Sequence, residues 1–350
     1  MKKLVVAVLV AVIIIGAIGA YYLTSMQKPL TTLASTSASM QTTISTQSAT
    51  PIKTITHSTT TEGPYQTTTA STLAGQKISG RIIQKGSDTL LILAQRWAEE
   101  FMANPQYSEV QISVSGGGSG AGIAALINGE IDMADLSREI KHSEIDQAKK
   151  NGVEPVEWKV AIDGITIIVN KNNPIDEISL DQLGAIYKGN FRDWSELVSN
   201  YNGKIIAYGR QSNSGTYVFM KEHVLKNVDY RDDLQAMNGN ADIVEAVARD
   251  KTGIGYVGYA YAEQRKDEIK IVKIKTSVNL PAIEPTISNI SDGSYPLSRY
   301  LYIYTNGIPK EPAASYLRFI ISDEGQKITQ EVECIPITED IQQEQLNNLK

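Results

Sequence analysis

Three times between residues 78 and 350 a short apolar run ends in a cluster of Gly, Ser and Thr and restarts as an amphipathic helical pattern. Strand, hydroxyl-rich turn and helix in that order confine the segment to α/β architecture. The first turn, Lys85-Gly86-Ser87-Asp88-Thr89, opens a helix whose Leu91, Ala94, Ala98 and Phe101 share one face, with Ser87 or Asp88 as its natural N-cap. The second, Ser115-Gly116-Gly117-Gly118-Ser119-Gly120-Ala121-Gly122, precedes a helix running towards Asn128 and leaves several backbone N–H groups free to converge on a ligand. The third, Arg210-Gln211-Ser212-Asn213-Ser214-Gly215-Thr216, precedes a helix with Tyr217, Met220 and Val224 at helical spacing. Runs at 80–84, 110–114, 165–169 and 204–208 read as strands, and no internal repeat is found. A body of this length exceeds what one core usually serves, so two lobes are expected.

Helix N-termini carry unsatisfied N–H donors and a partial positive charge, hydroxyls add short donors, and one arginine supplies a forked pair. That set fits a tetrahedral oxyanion. Any one turn alone is ordinary capping plus a glycine bend; three together, one with an arginine four residues before its Ser-Gly-Thr, point to a binding site. The formal net charge of -6 provides no basic field for nucleic acid, so an anion must be held locally. The single cysteine, Cys334, excludes an internal disulfide, and His57, His142 and His223 are too scattered to ligate zinc. No metal and no cofactor are therefore expected. Gly116-x-Gly118-x-x-Ala121 fits a relaxed dinucleotide fingerprint, but the glycine run is broader than that motif. With no Gly-x-Ser-x-Gly elbow and no Walker lysine, no catalytic residue is assigned and the chain is read as a non-enzyme.

After Met1, Lys2 and Lys3, residues 4–23 are uncharged and long enough to cross a bilayer. They read as a transmembrane anchor, or as a signal segment with a small-residue cleavage site at Ala17-Ile18-Gly19-Ala20. The preceding lysines place the rest of the chain outside the cytoplasm. Residues 24–77 are roughly half Ser and Thr, too poor in large apolar side chains to fold, and read as a disordered stalk suited to O-glycosylation.

The motifs GSDT at 86–89, SGGGSGAG at 115–122, GEIDMADLSREIK at 129–141, GRQSNSGT at 209–216 and GIGYVGYA at 253–260 occur in an order that is itself informative. A weaker stretch, 181–194, contains Tyr187-Lys188-Gly189 and Phe191-Arg192-Asp193-Trp194. Through these motifs the body resembles the phosphate-binding proteins of ABC phosphate importers, a family of the two-lobed periplasmic-binding-protein type II fold. The anchor and stalk resemble those of archaeal solute-binding proteins. The resemblance implies capture of inorganic phosphate in the interlobe cleft by a monomer that delivers it to permease subunits with their cytoplasmic ATPase. It implies lobe one at 78–162 and 295–350 and lobe two at 163–294, with the chain crossing near 161–165 and 295–303. Ligand contacts would come from Ser87, Asp88, Thr89, Ser119, Gly120 and Ser137 of lobe one and from Arg210, Ser214, Gly215 and Thr216 of lobe two.

The chain departs from that pattern at one place. Many relatives carry an aspartate after the serine equivalent to Ser137, where it accepts the proton of hydrogen phosphate; here the residue is Arg138. Arg138 is expected in a structural ion pair rather than on the ligand. Asp88 is either the substitute acceptor or a helix cap, with Asp135 or a backbone carbonyl as the fallback acceptor. The same donors would also suit sulfate, molybdate or tungstate, and the anchor and stalk would equally suit a cell-envelope structural or adhesion protein.

Overall fold

A computed structural model describes residues 77–349. The anchor expected at 4–23 and the stalk, Lys77 apart, lie outside them; among the described residues no helix is long and apolar enough to cross a membrane. In chain order the elements are β1 (Ser79–Gly86), α1 (Leu91–Ala103), β2 (Glu109–Ser115), α2 (Ser119–Ile127), β3 (Met133–Leu136), α3 (His142–Lys150) and β4 (Pro155–Asn170). There follow β5 (Glu177–Ser179), α4 (Leu180–Lys188), β6 (Ile206–Arg210), α5 (Gly215–His223), β7 (Gln235–Met237), α6 (Asn240–Arg249), β8 (Gly253–Gly258), α7 (Tyr259–Glu263) and β9 (Ile269–Lys275). The chain ends with α8 (Ile287–Ser291), β10 (Ser298–Asn306), α9 (Ala313–Ile321), α10 (Asp323–Glu331) and α11 (Glu339–Asn348).

The architecture turns on β4. Its first part pairs antiparallel with β10, from Pro155 opposite Asn306 to Gly164 opposite Ser298. From Ile165 onward it pairs with β8 and β9 instead. On one side of this exchange lie β3, β1 and β2, parallel to one another; on the other lie β8, β6 and β7, also parallel. The apolar runs are buried accordingly. Ile82, Leu93, Trp97, Phe101, Trp158 and Tyr316 fill one core, while Ile165, Leu183, Tyr187, Trp194, Met220 and Tyr256 fill another. The result is the expected two-lobed α/β fold.

The expected start of the first helix needs correction. Helix α1 begins at Leu91 with Leu90 at the N-cap position and no side-chain cap, so neither Ser87 nor Asp88 caps it. Its buried face is Leu93, Ala94, Trp97, Ala98 and Phe101, which includes the predicted Ala94, Ala98 and Phe101, while Leu91 is half-buried. Residues 87–90 form a separate turn, closed by the Leu90 N–H on the Ser87 carbonyl at 3.2 Å, which frees their side chains for other work.

Candidate functional site

The three hydroxyl-rich turns meet. The first two follow β1 and β2, Ser137 follows β3, and the third follows β6, so all four lie at the carboxyl ends of parallel strands, where open α/β sheets form their ligand crevices. Ser87, Thr89, Ser119, Ser137, Arg210, Ser214 and Thr216 are all buried, each at 5% exposure or less. Two pairs of turns touch directly across the cleft. Thr89 Oγ1 lies 3.2 Å from Thr216 Oγ1, and the Gly120 N–H donates to the Asn213 carbonyl at 2.9 Å. Asn213 returns a bond from Nδ2 to the Gly117 carbonyl at 2.9 Å. The amide expected from Gly120 as a ligand donor is thus engaged by the opposite turn.

Two glycines make this approach feasible. Gly118 has φ +85°, a conformation that side chains rarely adopt, and a Cβ there would stand 2.8 Å from the Asn213 carbonyl oxygen. A Cβ on Gly215 would stand 2.6 Å from Ser137 Oγ and closer still to Ser119 Oγ.

The hydroxyls share one arrangement. Ser87 Oγ accepts from the Thr89 N–H at 3.2 Å, Ser119 Oγ from the Ser137 N–H at 3.0 Å and Ser214 Oγ from the Tyr217 N–H at 3.4 Å. Thr216 Oγ1 accepts from Arg299 Nη2 at 2.9 Å. A hydroxyl has one hydrogen and two lone pairs, so a protein N–H on its oxygen fills one acceptor position and leaves a hydrogen to give and one lone pair. The site is rich in hydroxyl and N–H donors, which suits an anion.

Arg210 and Asp88 form an ion pair across the cleft. The Nη2 of Arg210 donates to Asp88 Oδ2 and, at 2.8 Å, to the Asn238 carbonyl. The Nε of Arg210 is buried and makes no hydrogen bond within the protein, a donor left over for a ligand. The forked pair expected to grip the anion is thus divided, with one nitrogen committed to Asp88. Asp88 Oδ1 accepts from the Gly117 N–H at 3.0 Å, and the Asp88 carbonyl accepts from Tyr261 Oη at 2.8 Å. Contacts from both lobes hold Asp88 at the mouth of the site, where a carboxylate with several lone pairs can accept one more proton donor.

Arg138 occupies the structural role expected of it. Its Nη1 and Nη2 bond the two oxygens of Glu144 at 2.8 and 2.7 Å, and Nη1 also reaches the Glu139 carbonyl at 2.8 Å. Burial raises the Glu144 pKa, but the Arg138 hydrogen bond and charge outweigh it and hold the carboxyl below its ordinary value. The fallback acceptor Asp135 faces away from the cleft: its Oδ1 accepts from Gln84 Nε2 at 2.7 Å, and Gln84 Oε1 accepts from Tyr316 Oη at 3.1 Å. Burial pushes the Asp135 carboxyl up to about 7.

A further ion pair, fully buried, is not among those expected from the sequence. Arg299 of β10 lies directly opposite Asp163 of β4, and its Nε and Nη2 donate to Asp163 Oδ2 at 3.0 and 2.8 Å. Its Nη1 donates to the Ser137 carbonyl at 2.8 Å. A lone carboxylate inside the apolar run 160–165 is the signal that could have exposed the pair, since a buried charge needs a partner. Burial raises the Asp163 carboxyl and lowers the Arg299 guanidinium from their ordinary values. With two arginines and two carboxylates the site is balanced in charge, and attraction for an anion comes from hydroxyl and N–H dipoles. A groove of about 710 Å³ lies beside it, bordered by Arg299, Phe219, Ile140 and Tyr300, but none of the predicted contact residues lines that groove. Among the described residues no group of His, Cys, Asp and Glu is placed to hold a metal ion.

Residues 45–324 match the model of the PBP superfamily domain. The phosphate-binding protein PstS of Staphylococcus aureus is 36% identical over 278 residues, covering 78% of this chain and 83% of that protein. A Clostridium perfringens protein assigned as the substrate-binding protein of a phosphate ABC transporter, crystallised with bound phosphate, is 28% identical with a TM-score of 0.66. The match spans 74% of this chain and 100% of that one. An ABC-type phosphate transport receptor of Vibrio cholerae, 24% identical with a TM-score of 0.59 over 73% of this chain and 99% of its own, shares the fold. Motif order, strand topology and these relatives agree, and the chain belongs to the phosphate-binding protein family of the periplasmic-binding-protein superfamily.

Proposed function

We infer that the chain is an extracytoplasmic solute-binding protein that captures inorganic phosphate and delivers it to an ABC importer. The observation that carries this reading is that hydroxyls from three turns are buried together at the carboxyl ends of the strands, with Arg210, whose Nε is unpartnered, paired to one carboxylate, Asp88. Donors alone would hold sulfate as well as phosphate. Asp88 favours hydrogen phosphate, which has a proton to give it, over fully deprotonated sulfate, molybdate or tungstate, which would meet an unanswered charge in a desolvated cleft.

In this reading Ser87, Asp88, Thr89, Ser119, Ser137, Arg210, Ser214, Gly215 and Thr216 surround the ligand, and Gly120 lets the lobes close. Lobe one comprises 78–162 and 295–350 and lobe two 163–294, a division supported by the change of partner along β4 at Gly164 and Ile165. Residues 4–23 tether the protein to the outer face of the cell membrane, or release it if cleaved, and 24–77 space the body from the bilayer. The protein acts as a monomer, catalyses no reaction, and hands its ligand to permease subunits driven by a cytoplasmic ATPase.

Isothermal titration of the full chain with phosphate, sulfate and molybdate tests the reading. Saturable binding of phosphate alone is the expected result. Equal or tighter binding of sulfate or molybdate reassigns the ligand, and no binding of any of the three returns the chain to a structural or adhesive role.

A further inference from the structure

Arg299 is 7% exposed and Asp163 5%, and together they sit where β4 and β10 pass beside the site. A buried ion pair contributes little net stability, because desolvation offsets most of the Coulombic gain, so its presence here calls for a use beyond holding two strands together. Its guanidinium is fixed from several directions. Asp163 Oδ2 takes Nε and Nη2, the Ser137 carbonyl takes Nη1, and Asp163 Oδ1 is itself held by the Tyr259 N–H at 3.1 Å. The ring of Phe219 lies beneath, with its centroid 5.5 Å from the guanidinium carbon. From that fixed position Nη2 also donates to Thr216 Oγ1 at 2.9 Å and stands 3.5 Å from Thr89 Oγ1.

We propose that Arg299 is a positioning residue of the anion site, which fills one acceptor position of the Thr216 hydroxyl and biases its hydrogen toward the bound oxyanion. A rotatable hydroxyl can accept as well as donate, and must be oriented when the ligand arrives. Thr216, held by Arg299, is oriented beforehand, and its oxygen is polarised by a cationic donor. Because Thr216 and Thr89 lie 3.2 Å apart, orienting the first restricts the second. The same guanidinium grips the Ser137 carbonyl, so one side chain coordinates a hydroxyl from lobe two with a turn of lobe one. The inference rests on the phosphate-capture reading and extends it to a residue that supplies no ligand contact in that scheme.

The test is titration of the full chain with inorganic phosphate in two backgrounds, parent and Thr216→Val. The perturbation is Asp163→Asn with Arg299→Gln, which removes both charges and strands neither. In the parent background the pair should weaken phosphate binding roughly thirtyfold, as expected for loss of a hydrogen bond from a charged donor. In the Thr216→Val background, where the hydroxyl is already gone, the same pair should cost less than threefold. A purely structural role gives the opposite pattern: a lowered melting temperature, and a loss of affinity that is the same in both backgrounds. That result overturns the proposal, as does a pair variant that binds within threefold of the parent. Should the pair variant fail to fold, Arg299→Lys replaces it; lysine keeps the charge beside Asp163 but cannot serve Asp163, Ser137 and Thr216 together, and the same dependence on Thr216 is required. A parent chain that takes up no phosphate overturns the capture reading and this inference with it, whereas a parent that binds alongside unimpaired variants overturns the role of Arg299 alone.

Discussion

Gly215→Ala should separate binding from folding. Gly215 opens α5, where alanine is the better helix former by up to about 1 kcal/mol, so local helix propensity alone would favour the substitution. Across the cleft, however, the new methyl carbon would stand 2.6 Å from Ser137 Oγ and nearer to Ser119 Oγ, separations no real Cβ tolerates. Rotating the two serines aside would give up the Ser119 Oγ bond to the Ser137 N–H and still leave Ser119 Cβ at 3.0 Å, so the lobes are expected to back away. Doing so breaks the bonds that span the cleft beside it: Thr89 to Thr216 at 3.2 Å, the Gly120 N–H to the Asn213 carbonyl at 2.9 Å, and Asn213 Nδ2 to the Gly117 carbonyl at 2.9 Å. Three neutral hydrogen bonds at about 0.5–1.5 kcal/mol each amount to roughly 2–4 kcal/mol, or about thirty- to a thousandfold in affinity. Calorimetric titration with phosphate and a thermal melt without it read the two effects separately. Binding within threefold of the parent would show that the bound cleft does not bring Gly215 against Ser119 and Ser137, and the closure argument would fall.

Arg210→Ala should weaken phosphate by roughly thirty- to a thousandfold, because it removes a charged donor and leaves the half-buried Asp88 without its partner; titration showing a change under threefold would remove Arg210 from the site. Asp88→Asn should lower the ratio of phosphate to sulfate affinity at pH 7 by about two orders of magnitude, since the amide can donate where the carboxylate could only accept, and an unchanged ratio would place the acceptor elsewhere. Asp135 gives a pH signature. Its native carboxyl titrates at about 7 while the unfolded one titrates near 4, so the native state holds the extra proton between those values and stability falls as pH rises through them. Asp135→Asn, which keeps an acceptor for Gln84, should therefore gain stability relative to the parent by a few kcal/mol between pH 4 and pH 8 in urea unfolding; parallel curves would refute the buried-acid assignment.

The donors are legible in sequence because each lies in a turn, where Gly, Ser and Thr have few reasons to cluster other than backbone geometry and ligand contact. Arg138 is legible for a related reason: an arginine replacing the usual acceptor needs a counter-ion, and Glu144 in the following helix supplies it. What local pattern does not encode is register. Arg299 and Asp163 are 136 residues apart and become partners only because β10 runs antiparallel to β4 with those two residues opposite. The length of β4 was hidden similarly: the run 165–169 is strongly apolar, while 155–164 mixes Glu157, Lys159 and Asp163 into the strand and reads as interrupted. The capping assignment at Ser87 and Asp88 fails because the turn at 87–90 intervenes between those residues and the first turn of α1.

On the phosphate-capture reading, the carboxylates in and around the site differ in how fully their oxygens are already occupied. Asp163 receives the Tyr259 N–H on Oδ1 and two N–H groups of Arg299 on Oδ2, and every one of those donors is locked in place. Asp135 sits behind the first turn and faces Gln84. Glu144 is consumed by Arg138 and by the Lys141 N–H at 2.8 Å. Asp88 alone lies between the first turn, the glycine turn and Arg210, with one donor from the Gly117 N–H and one from the Arg210 guanidinium. A carboxylate offers about four lone-pair positions, so these two bonds leave it capacity for a third donor. Arg210 can only donate, and each hydroxyl bonded to a protein N–H keeps a single lone pair, so a ligand carrying a proton is best served by a carboxylate with a position to spare. On the phosphate-capture reading Asp88 is proposed as that carboxylate, and its ion pair with Arg210 joins an acceptor and a charged donor across the cleft.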